Sequence, residues 1–172
     1  DDIKEWTKNL FVTKIVEQLN LAMQNPAVLQ QTDALKYAEI LEQGKDSRVM
    51  QPTLFDFLSY QKINLLKNFA ENNNEEPLDI VEAADPDIYQ KKDNLAFQQI
   101  LDTYNQLIDF NTQKNNTSAV VYAQLQKLQF EKSNRDEKYL EELNKLEKQY
   151  AENEAVEEVL EEKEQYILTK AE

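Results

Sequence analysis

Along most of this chain apolar residues return at steps of three, four and seven, the period of an amphipathic helix. The first run, residues 3–24, carries Trp6, Leu10, Ile15, Val16, Leu19 and Met23. Asn25-Pro26 ends it, because a proline ring pushes the preceding residue out of the helical region. Residues 27–43 follow, with Ala34, Leu35, Ala38 and Leu41 at helical spacing. Gly44, the one glycine, then fits a left-handed C-terminal cap, where a Cβ would be penalised. The stretch Gln51-Pro52-Thr53-Leu54-Phe55-Asp56-Phe57-Leu58 reads as the next helix start. Thr53 is the cap, Asp56 answers it three residues on, and Pro52 lies outside the hydrogen-bonded turns. Leu54, Phe55, Phe57, Leu58, Leu65, Leu66 and Phe69 cover half of that helix, which predicts neighbours on more than one side.

Residues 70–92 break the pattern. Asn72 to Pro77 reads as a loop, and Leu78, Ile80, Val81, Ile88 and Tyr89 are apolar islands around Asp85-Pro86-Asp87. The second half is regular again. Asp93 is set to cap a helix carrying Phe97, Ile100, Leu101, Tyr104, Leu107 and Ile108. Asn115 to Ser118 is a turn, and Val121, Tyr122, Leu125 and Leu128 form the next face. Ser133 and Asp136 make a second capping box, before a helix with Tyr139, Leu143, Leu146 and Tyr150. Asn153 caps the last helix, whose inner face is read as Val156, Val159, Leu160, Lys163 and Ile167.

The fold class is therefore all-α: antiparallel helical hairpins stacked as a tetratricopeptide-like, right-handed α-α superhelical array. Residues 94–133 and 134–171 form two helix pairs, and Leu101, Tyr104 and Leu107 recur as Leu140, Leu143 and Leu146, a period in the range of helical repeats. One helical domain spans 1–172, with first helices over 1–76, an irregular connection over 77–93 and stacked pairs over 94–172. The chain starts without Met and stops inside a helical pattern, which reads as an excerpt of a longer protein.

Composition then removes most chemistry. The 172 residues hold no cysteine and no histidine, so disulfides, thiolate or imidazole metal sites, and Cys or His catalysis are excluded. One glycine leaves no phosphate-cradling loop. A net charge of −14, with no basic stripe, repels nucleic acid and anionic lipid and favours a basic partner if any. No apolar run approaches the roughly 20 residues of a membrane span. Among the 33 acidic residues, no segment has the spacing and central glycine of a calcium loop. No carboxylate pair stands out for glycoside hydrolysis, and a di-metal carboxylate bundle needs histidines the chain lacks. The reading is a non-enzyme with no cofactor or metal.

Five residues stand out as a candidate partner surface. Tyr60 and Ile63 lie opposite the main stripe of their helix, as a second packing face or a partner surface. Glu157, Glu158 and Glu161 belong to the glutamate run 154–164, read as a solvated outer face or an acidic surface for a basic partner. Asn115 and Asn116 each open an Asn-x-Ser/Thr sequon, which matters in a eukaryotic secretory protein.

The stretch from Gln51 to Leu58 also resembles the Arg-Pro-Thr-Leu-Tyr-Asp-Phe-Leu pattern near the start of large alpha-2-macroglobulin-like (MG2-domain) proteins of Bacteroidetes, with Gln51 standing where that family has Arg. The short helix ending in Gly44, and Asp136 to Tyr150, look like neighbouring segments of the family. The resemblance implies a helical N-terminal region ahead of macroglobulin β-sandwich domains in an exported, periplasmic or outer-membrane-associated protein. It implies a role in protease trapping or envelope defence. Its partners would be the downstream domains of the same chain and another protein or a protease. The family's Cys-Gly-Glu-Gln thioester cannot lie in this chain, which has no cysteine. The alternative reading is a free-standing helical-repeat adaptor with a peptide-binding groove.

Overall fold

The computed structural model describes residues 8–41, 47–72, 88–131 and 137–171. Their secondary structure is all-helical, as the periodicity predicts, with no strand among the described residues. None of the described helices is long and apolar enough to cross a membrane. The chain divides into two compact units, each built from two separate pieces of sequence. Unit 1 holds residues 1–36 and 53–103, and unit 2 holds 37–52 and 104–172.

In unit 1, α1 (Lys8–Ala22) ends where Asn25-Pro26 predicts, and Pro26 becomes the first residue of α2 (Pro26–Gln31). That is the position where a missing N–H costs least. The single helix expected over 27–43 does not form. It breaks at Thr32, which is extended, and resumes only as a 3₁₀ turn over Ala34–Tyr37. The break has a local cause. Thr32 Oγ1 donates back to the Val28 carbonyl at 2.7 Å, and Asp33 Oδ1 accepts the Leu35 N–H at 2.9 Å. Both side chains offer the backbone partners that compete with the helix. The freed Thr32 carbonyl takes the Leu54 N–H at 2.8 Å, and Asp33 pairs with Thr53 as an isolated antiparallel bridge. Gly44 and all of the expected loop over 72–77 except Asn72, which ends the helix Leu54–Asn72, lie outside the described residues; of the expected irregular connection over 77–93, residues 88–93 are helical.

Helix α4 (Leu54–Asn72) starts on the predicted capping box. Thr53 N–H and Oγ1 both donate to Asp56 Oδ2, at 2.9 and 2.6 Å, and Asp56 N–H returns to Thr53 Oγ1 at 3.3 Å. α4 packs on α1 and α2. Its deepest line is Phe55, Ser59, Tyr60, Ile63 and Leu66, while Phe57, Leu58 and Leu65 are half-buried. The helix is covered on more than one side, but its core line differs from the stripe that aliphatic spacing favours.

Helix α5 (Ile88–Gln113) begins five residues before Asp93, so Asp93 lies inside the helix and does not cap it. The boundary between the units falls within α5, after Thr103.

In unit 2, α5 ends in a Schellman turn. Asn115 is left-handed (φ 58°). Its N–H donates to the Thr112 carbonyl at 3.1 Å, and the Asn116 N–H donates to the Asn111 carbonyl at 2.9 Å. Together these bonds satisfy carbonyls that the helix end leaves open. Asn116 Nδ2 also donates to Asn111 Oδ1, and buried Asn111 donates to the Leu107 carbonyl. Three further helices follow: α6 (Thr117–Glu131), α7 (Glu137–Gln149) and α8 (Val156–Ala171). α6 contacts α7 and α8, and α7 contacts α8. Their shared core is Val121, Leu125, Leu128, Tyr139, Leu143, Ala155, Val159 and Tyr166. The Ser133/Asp136 capping box lies outside the described residues. A short helix, α3 (Ser47–Met50), packs on α6.

The inner face of α8 is one residue out of step with expectation. Ala155, Val159, Glu162 and Tyr166 are buried, whereas Leu160 and Ile167 are 43% and 50% exposed. One residue turns the face by about 100°. Aliphatic content favours Leu160 and Ile167, but the structure buries the Tyr166 ring and supplies donors to Glu162.

Candidate functional site: an acidic groove in unit 2

The groove is built from two elements far apart in sequence. α3 contributes Val49 and Met50. The turn before α8 contributes Glu154 and Ala155, and the first turns of α8 contribute Glu157, Glu158 and Glu161. Glu157 and Glu158 lie four and three residues before Glu161, so they flank it on one side of α8, and the turn brings Glu154 to the same wall. Glu157 and Glu158 also sit in the first turn of α8, where the partial positive charge of the helix end favours carboxylates. The hollow measures about 240 Å³. Val49 is exposed and Met50 half-buried, so apolar surface adjoins the acidic strip.

The turn that presents Glu154 is anchored. Asn153 Oδ1 accepts the Ala155 N–H at 3.0 Å and the Ser118 hydroxyl at 3.1 Å. The Asn153 carbonyl takes the Val156 N–H, and its own N–H goes to the Tyr150 carbonyl. Asn153, expected as the cap of the last helix, sits three residues before its first residue and holds the turn that leads into it, tying that turn to the start of α6.

Among the described residues no three acidic side chains are placed to hold a metal ion; the groove presents charge as a strip. That charge reaches inward. Burial pushes the Tyr122 phenol above its ordinary value, and the Glu158 carboxylate adds to the rise. Burial also pushes Tyr104 upward, with a smaller contribution from Tyr122.

Glu157, Glu158 and Glu161, singled out by sequence, are thus brought together on one wall. Tyr60 and Ile63 are elsewhere, in unit 1, and are 6% and 0% exposed. Of their two readings, that burial matches a packing face. Sequence reasoning missed Val49 and Met50, since nothing in residues 47–50 signals a neighbour a hundred positions on.

It also missed Glu162. This buried residue receives the Tyr139 hydroxyl on Oε1 at 2.5 Å and Gln129 Nε2 on Oε2 at 2.7 Å. One carboxylate so links α6, α7 and α8. Beside it, the Tyr139 and Tyr166 rings lie 5.5 Å apart, tilted by 52°, and Lys170 sits 5.8 Å over the Tyr166 ring. With both oxygens engaged, the group is built as a fastener between helices. A second hollow of about 170 Å³ is lined by Asn111, Thr112, Asn115, Thr117, Val120 and Tyr150. Of the two sequon asparagines, Asn115 is exposed and Asn116 is tied to Asn111.

No protein-family model, curated protein or solved structure matches the chain.

Proposed function

We propose that this chain is a non-catalytic helical interaction region whose groove in unit 2 receives a basic, amphipathic segment of another protein. The observation that carries the reading is the pairing of exposed Val49 with an acidic wall of Glu154, Glu157, Glu158 and Glu161. An apolar side chain flanked by Lys or Arg complements both surfaces. Charge complementarity of this kind governs encounter rate and selectivity. A second copy is a poor occupant, since it brings the same net charge of −14.

The test is fluorescence anisotropy of a labelled synthetic peptide alternating lysine with leucine. Two triple variants of equal net charge are compared with the parent chain. Glu157→Gln/Glu158→Gln/Glu161→Gln neutralises the groove, and Glu141→Gln/Glu152→Gln/Glu164→Gln neutralises exposed positions outside it. The groove triple weakens binding about tenfold, roughly 1.4 kcal/mol, and the control triple does not. Equal losses in both would reduce the interaction to bulk charge and remove the groove from it.

The finer reading is that this region belongs to a large, exported alpha-2-macroglobulin-like protein of the cell envelope, in protease trapping or envelope defence. Its support is the resemblance over Gln51 to Leu58. The competing reading is a free-standing adaptor with tetratricopeptide-like stacking, favoured by the mutual packing of consecutive helices α6, α7 and α8. An antibody to the segment, used on fractionated native cells, separates them. A very large envelope band supports the first, and a cytoplasmic band near 20.2 kDa supports the second.

A further inference from the structure

We draw no further inference here: the strongest candidate outside the groove, the exposed apolar stripe of Leu160, Ile167 and Leu168 along α8, has nothing in the structure to show what covers it.

Discussion

Asp56 in unit 1 and Glu162 in unit 2 are both buried carboxylates, and the chain accommodates them in opposite ways. Asp56 is held by the helix start it belongs to, through Thr53 three residues away. Glu162 is held by Gln129 and Tyr139, 33 and 23 residues away on two other helices. A local arrangement forms as soon as the turn forms. A tertiary one exists only when three helices are in place, and it penalises any packing that leaves the carboxylate unmatched. The first starts a helix; the second sets the register of a bundle.

The comparison breaks most visibly at Tyr139. Tyr139→Ala removes a fully buried ring and the donor to Glu162 together. Unfolding by urea is expected to show a loss of about 3–5 kcal/mol. Tyr139→Phe keeps the ring and removes only the hydroxyl, leaving Glu162 short of a donor, for about 1–3 kcal/mol. If Tyr139→Phe matched the parent, the fastener would have no energetic role.

Thr53→Ala tests the local half. Loss of a helix cap costs about 1 kcal/mol, and Thr53→Ser is expected to restore most of it. Thr53 and Tyr139 share no hydrogen-bond partner among those described, so the double variant Thr53→Ala/Tyr139→Phe should be additive to within about 0.5 kcal/mol. Strong coupling would mean that the two carboxylates do not act separately.

A third case sharpens the contrast, because buried Tyr104 and half-buried Tyr122 are both held in neutral form. Burial raises both phenols above their ordinary value, which is about 10. The folded state therefore keeps protons that the unfolded state releases as pH climbs past that value. Stability is fully present below about pH 10 and falls above it. Lys62 opposes this: burial lowers its pKa, so the folded state sheds that proton first and stability rises as pH approaches the unfolded value. Denaturant midpoints measured across the alkaline range should decline. Tyr104→Phe should flatten the decline, and Lys62→Met should steepen it.

The smallest effect is expected at Lys145. Its bond to Glu142 raises its pKa, but the ammonium is fully exposed, and solvent screens such pairs. Lys145→Ala should leave the urea midpoint unchanged within error.

These cases also show what the sequence makes readable. The start of α4 is legible because the bonds between Thr53 and Asp56 close within one turn. The α5–α6 turn is legible from Asn115 and Asn116 for the same reason. The break at Thr32-Asp33 is written in side chains that bond their own backbone, but helical spacing from Ala34 to Leu41 masks it. The inner face of α8 is not legible from α8 alone. Glu162 looks like a surface residue until Gln129 and Tyr139 arrive. The groove is half legible: the acidic strip lies in one glutamate-rich run, while its apolar side comes from a four-residue helix about a hundred positions earlier.

The turn between α5 and α6 has one more consequence. Asn115 occupies the one left-handed position at which the two bonds to Thr112 and Asn111 converge. Adding or deleting a single residue between Gln113 and Thr117 moves that position off the helix end and opens both bonds. The connection is a coupling of fixed length, so an engineered insertion here should cost both of these bonds.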